Sequence, residues 1–155
     1  MSEDDMHRDP RQLEFTSLAL TDCAPDDSRL LFSVPTPDGY DLWQMPITKQ
    51  ARAESLWESG GNQIHGNFSP NGKFIAYASR KELGRYEVYV VDSSRPQNSE
   101  QKVSTGVRQA EGGSEPRWRA DGKELYYLSE DRSLVAVPFQ NGMPGTPSVL
   151  FRTGA

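Results

Sequence analysis

Few side chains in this sequence could carry chemistry. His65 stands in Gln63-Ile64-His65-Gly66-Asn67, and the other histidine, His7, lies near the start of the chain. A histidine that serves as base or metal ligand needs partners at a fixed spacing. Neither has one: the sequence holds no His-x-x-x-His, no Cys-x-x-Cys and no carboxylate cluster beside His65. Cys23 is the single cysteine, so it staples nothing and reads as a small buried apolar residue. No Gly-x-Ser-x-Gly elbow prepares a serine for attack. The candidates that remain recognise rather than react. Glu115 and Arg117 are two apart, so an extended backbone turns both to one side, where they either pair with each other or meet a peptide. Arg80, Lys81 and Arg85 form a small basic tip, and Asp131 sits in the short loop Glu130-Asp131-Arg132. The tip is either a solvated loop or a contact for an acidic partner. No residue set calls for a metal or a cofactor.

Composition narrows the partners. The net charge of the 155 residues is -5, and no lysine- and arginine-rich run occurs, which argues against a nucleic-acid surface. No stretch reaches the roughly 20 apolar residues of a membrane span, so direct insertion is not expected. The first ten residues lack the basic start and apolar stretch of an export signal. Thirteen glycines and eleven prolines predict many turns and few long helices.

The elements that must hold these residues show themselves as a repeat. Phe68-Ser69-Pro70-Asn71-Gly72-Lys73 leads into Phe74-Ile75-Ala76-Tyr77-Ala78-Ser79, and Trp118-Arg119-Ala120-Asp121-Gly122-Lys123 leads into Glu124-Leu125-Tyr126-Tyr127-Leu128-Ser129. A worn copy, Ala24-Pro25-Asp26-Asp27-Ser28-Arg29, precedes Leu30-Leu31-Phe32-Ser33, with Ser28 read where the others have glycine. A second strand follows each copy: Tyr40 to Pro46, Tyr86 to Asp92 and Ser133 to Phe139, with Leu42, Val88 and Leu134 spaced 46 apart. A third strand is expected at Ala53 to Glu58, Glu100 to Ser104 and Ser148 to Arg152. Asn/Asp-Gly between strand-forming runs is a strong hairpin signal, because glycine takes a positive φ without steric cost. Alternation puts Leu42, Gln44 and Pro46 on one face and Trp43 and Met45 on the other. A period near 46 with strands in constant order is a blade period.

These motifs, aromatic-Ser-Pro-Asn/Asp-Gly-Lys followed by an apolar strand and a Val-Tyr-Val strand, resemble the TolB-type, WD40-like β-propeller repeat over residues 12 to 152. The stretch from Gly113 to Phe139 also resembles the C-terminal propellers of bacterial eukaryote-like serine/threonine kinases. The resemblance implies an all-β fold, a partial propeller of about three blades of antiparallel strands. Residues 1–11 are expected to form an acidic disordered tail. Residues 12–50 hold the first, degenerate blade with an outer strand left from a preceding one, 51–98 the second, and 99–155 the third with a terminal outer strand. Three blades are too few to close a ring, so neighbouring blades or a second copy are expected partners, two copies making a six-bladed ring.

The resemblance further implies that Thr21 to Ala24, His65 to Phe68 and Glu115 to Trp118 are inner strands lining a channel. The loops around them then form a rim carrying His65, Asn67, Arg80, Glu115, Arg117 and Asp131. Trp43, Phe68, Tyr77, Trp118 and Tyr127 are expected between blades as core. The function implied is a non-catalytic module that binds a protein, peptide or small ligand on this rim, as in a receptor kinase or a TolB-like protein. The alternative is the propeller gate of a prolyl-oligopeptidase-like hydrolase. The compartment is periplasmic for a receptor-kinase or TolB-like parent and cytoplasmic otherwise.

Overall fold

The computed structural model describes residues 18–57, 62–81, 84–105 and 111–154. They form three antiparallel sheets in chain order. The first contains β1 (Ala19–Cys23), β2 (Arg29–Thr36), β3 (Gly39–Pro46) and β4 (Glu54–Ser55), each hydrogen-bonded to the next. The second repeats this with β5 (Asn62–Phe68), β6 (Phe74–Arg80), β7 (Glu87–Asp92) and β8 (Gln101–Lys102). The third contains β9 (Ser114–Trp118), β10 (Glu124–Leu128) and β11 (Ser133–Gln140). Its outer strand is split between β12 (Met143–Pro144) and β13 (Ser148–Arg152), both paired with β11. The only helix among the described residues is one 3-10 turn, Pro96–Asn98.

The outer strands of the first two sheets are shorter than their sequences suggest, two residues each, and both pair backwards, onto β3 and β7. Residues 54–55 and 101–102 thus hydrogen-bond with the strands before them. Of the expected leftover strand, residues 12–17 lie outside the described residues, as does the tail 1–11, while Ala19 and Leu20 open β1.

The repeat turn is built three times from the same bonds. Ala24, Ser69 and Arg119 each donate their N–H across the turn to Arg29, Phe74 and Glu124, at 2.8, 2.8 and 2.9 Å. The N–H of Asp27, Gly72 and Gly122 returns to the same three residues' carbonyls. Asp26, Asn71 and Asp121 each accept the N–H two residues on through a side-chain oxygen, an Asx turn. Gly72 and Gly122 have φ of +71°. This corrects the alignment of the worn copy: Asp27, with φ +58°, and not Ser28, occupies the glycine position, and no residue is inserted. Aspartate tolerates this region because its short side chain bonds locally.

Core side chains lie between sheets. Leu31, Leu42 and Leu56 of the first sheet meet Ile75, Tyr77, Tyr89 and Val91 of the second. Ala76, Val88, Val90 and Val103 on the second sheet's other face meet Leu125, Tyr127, Val135 and Val137 of the third. The near-continuous apolar run of β6 follows, since both its faces are covered. Phe68 and Tyr77 lie in the first of these layers, Tyr127 in the second with Trp118 packed against it, as expected of inter-blade core. Trp43 lies instead on the first sheet's far face, with Phe32 and Val34.

Candidate functional site

Each sheet begins with the strand that the repeat places innermost, and each such strand is bulged at the same place. One extra residue interrupts the pairing of β1 between Leu20 and Asp22, of β5 between Ile64 and Asn67, and of β9 between Ser114 and Arg117. His65 and Glu115 occupy matching bulge positions and both have positive φ, +57° and +52°. For residues with a β-carbon this region costs of order 1–2 kcal/mol. The bulge also breaks the simple alternation that would put His65 and Asn67 on one face.

At the junction of the second and third sheets these bulges touch. The backbone N–H of Glu115 donates to His65 Nδ1 at 3.3 Å. The His65 ring is therefore neutral with its proton on Nε2. Burial holds the His65 imidazole below its ordinary value, with Glu115 opposing and Arg117 reinforcing the effect. Asn67 donates to the Pro116 carbonyl at 2.7 Å and to the His65 carbonyl at 3.0 Å. Arg117 is exposed and donates to the carbonyl of Pro116 at 2.8 Å. No ion pair joins it to the equally exposed Glu115 among the described contacts.

Four of the six residues singled out in the sequence, His65, Asn67, Glu115 and Arg117, thus come together. Arg80 and Asp131 lie apart from them. Arg80 lies over the Tyr86 ring, 5.5 Å from its centroid. Asp131 accepts from Ser129, Ser133 and, at 2.5 Å, Arg152; these bonds hold its carboxyl below the usual range. Nor is the basic tip free: Lys81 pairs with Glu100, and Arg85 bridges Glu111 and Glu130.

Two linking residues were not singled out in the sequence. Asp22 occupies the position of Asn67 and Arg117 in the first sheet, and its Oδ2 accepts the Phe68 N–H at 2.7 Å. Arg29 spans the same junction at the turn end: it donates to the carbonyls of Ser93 and Gly72 and lies over Phe68 at 5.1 Å. The signal for Asp22 was its place in the repeat; nothing in residue type marked Arg29.

No group of three His, Cys, Asp or Glu side chains that could hold a metal occurs among the described residues. No helix among them is long and apolar enough to cross a membrane.

No protein-family model matches the chain, and no curated protein does. Solved structures do. A candidate TolB from Agrobacterium tumefaciens matches with a TM-score of 0.67 at 17% identity, over 86% of this chain and 49% of that one. TolB from Acinetobacter baumannii matches with a TM-score of 0.68 at 17% identity, over 91% of this chain and 34% of its own. A prolyl endopeptidase matches with a TM-score of 0.58 at 15% identity, over 98% of this chain and 25% of that one. The chain has a TolB-like propeller fold, and it spans half or less of each of these structures.

Proposed function

We propose that this chain is a non-catalytic binding module that takes a protein or peptide segment on the rim formed by His65, Glu115 and Arg117. One observation carries the reading. The two strained bulges bring a carboxylate, a guanidinium and a neutral imidazole to one edge of a junction, and leave the two charged groups exposed and unpaired with each other. Strain of this kind clusters where a backbone must present a side chain. An extended peptide offers an N–H and a carbonyl at each residue, and the imidazole, carboxylate and guanidinium supply matching acceptors and donors. His65 has no nucleophile beside it, so the arrangement supports holding rather than turnover.

A peptide array probed with the purified chain tests this. Binding should fall for Arg117→Ala and Glu115→Gln, while Arg132→Ala, a change on an exposed loop, leaves it unchanged. Equal binding by all four proteins would refute the rim.

The prolyl endopeptidase match favours a second reading, the gate of a larger hydrolase. Coding sequence beside residues 1 and 155 separates the two: a hydrolase domain supports the gate, a kinase with a membrane span the sensor.

A further inference from the structure

We propose that the cleft between the repeat turns of the second and third sheets binds a guanidinium, the arginine side chain of a partner protein or peptide. It lies at the turn end of β5 and β9, away from His65 and Glu115, and goes beyond the rim described above. The ligand chemistry is read from inside the molecule, because the same place between the first two sheets holds an arginine of this chain. There Arg29 lies over the Phe68 ring, 5.1 Å from its centroid. Its guanidinium donates to the Gly72 carbonyl at 3.4 Å and to the Ser93 carbonyl at 3.2 Å. The two junctions share one frame. Pro25 Cδ and Pro70 Cδ each stand 3.6 Å from where a Cβ would sit on Gly72 and Gly122. Ser93 and Phe139 each donate their N–H to the carbonyl of the lysine after the turn glycine, Lys73 and Lys123.

The second junction repeats this frame without the arginine. Phe74 stands at the position of Arg29, Trp118 at that of Phe68 and Phe139 at that of Ser93. An open cleft of about 570 Å³ results, lined by all three rings together with Asp121 and Gly122. That volume is in the range of small-ligand sites. Phe139 meets both Phe74 and Trp118 edge to face, with centroids 5.0 Å apart in each pair, so the rings brace one another as walls. Tryptophan is a stronger cation–π platform than the phenylalanine it replaces. The Gly72 carbonyl accepts from Arg29 and, at 2.7 Å, from Ser93 Oγ. The matching residues Phe74 and Phe139 have no side-chain donor to offer Gly122. Two cations oppose the ligand: Lys73 lines the cleft, and Arg119 pairs with Asp121 at 2.8 Å. The Arg119 pair is exposed and therefore weak. A guanidinium suits the cleft better than an ammonium, because its plane stacks on a ring while its fork reaches carbonyl and carboxylate acceptors.

Titration of the isotope-labelled full chain with the capped peptide acetyl-Gly-Arg-Gly-amide, followed by two-dimensional NMR, tests the proposal. The Trp118 indole N–H and the amides of Gly122 and Gly142, which also lines the cleft, should shift together and saturably. The same peptide with citrulline, which keeps the shape and loses the charge, should leave them in place. Trp118→Leu should weaken binding roughly threefold or more, the effect of losing the cation–π contact. Asp121→Asn should weaken it with the fold intact, because Asn71 makes the same turn bond at the matching position. Lys73→Gln removes the opposing charge and should tighten it. If Trp118→Leu fails to fold, the two charge variants decide. No saturable shift, an equal response to both peptides, a response centred on the His65 and Glu115 amides, or looser binding in Lys73→Gln would overturn the proposal.

Discussion

Asn67 of the second sheet donates its side-chain N–H to the carbonyl of Pro116 in the third, at 2.7 Å. The link recurs at the preceding junction, where Asp22 accepts the Phe68 N–H. Asp22, Asn67 and Arg117 pair with Leu31, Ala76 and Tyr126 respectively, so they are one position of the repeat. Neighbouring sheets are held by apolar burial across their width and by a polar link at their inner ends. Asn67, expected as a ligand contact, spends its donors inside the fold.

Asn67→Leu should therefore destabilise the chain. Pro116 is buried, and its carbonyl would keep only the Arg117 donor, so the loss should be that of one hydrogen bond, about 0.5–1.5 kcal/mol. Arg117→Leu removes the other donor to that carbonyl, but from an exposed side chain whose bond water can replace, and should cost less than about 0.5 kcal/mol. Urea denaturation at constant m-value separates the two; equal effects would remove the distinction between a structural Asn67 and an exposed Arg117.

The repeat turn gives a second expectation. Gly72→Val and Gly122→Val should each cost on the order of 1–2 kcal/mol, because a β-branched residue resists positive φ. Asp27→Gly should go the other way, raising stability by up to about 1 kcal/mol as the strain of φ +58° is relieved. Thermal midpoints for the three variants check both signs. Lower stability in Asp27→Gly would mean that the aspartate's own contacts outweigh the strain.

Much of this was legible because turn chemistry is local. Asn71-Gly72 and Asp121-Gly122 announce their hairpins whatever surrounds them, and the 46-residue spacing of Leu42, Val88 and Leu134 survives as one register position, which in Leu42 and Val88 faces the next sheet. The worn turn was misread by one residue because aspartate can take the place of glycine without changing the bond pattern. The candidate site was harder to read for a different reason. A bulge of one residue moves His65 and Glu115 out of simple alternation, and no residue type marks it in advance. The ion pairs of Lys81 and Arg85 join segments 19 and 26 residues apart, beyond what spacing within one loop can show.

Stability should depend on pH through His65. Burial holds its folded-state value below that of an exposed imidazole, so the native state favours the neutral ring. The contribution is complete above about pH 6.5 and is lost as pH falls through the folded value, because protonation turns Nδ1 from acceptor into donor facing the Glu115 N–H. Asp26, Asp92 and Glu124, also shifted downwards by their bonds to Ser28, Ser94 and Tyr126, contribute stability lost only at more acid pH. Denaturation midpoints measured between pH 5 and 8 should fall on the acid side in the wild type and flatten in His65→Asn. An unchanged slope in that variant would place the titration elsewhere.

The same substitution should have different effects at two matching tyrosines. Tyr77 and Tyr127 lie at one register position, opposite Tyr89 and Val135. Tyr77 donates its hydroxyl to Glu100, and its ring meets Trp57 and Tyr89, with centroids 4.5 and 5.7 Å away. Burial, together with that carboxylate, drives its pKa far upwards. Tyr127 is equally enclosed, but its hydroxyl is buried with no partner among the described residues, and burial pushes its pKa up to about 12. A hydrogen bond to a carboxylate contributes about 1.5–3 kcal/mol, so Tyr77→Phe should destabilise by an amount in that range. A buried hydroxyl without a partner costs about 1–3 kcal/mol on mutational scales, so Tyr127→Phe should be neutral or stabilising. Two Tyr127 ring carbons and Val88 Cγ2 leave no space for a side chain at Gly113, so the ring packs directly against the glycine backbone. Chemical denaturation of both variants decides the point. A loss in Tyr127→Phe as large as in Tyr77→Phe would show that its hydroxyl has a partner after all, and the junction between the second and third sheets would then contain a polar contact matching the one Glu100 makes.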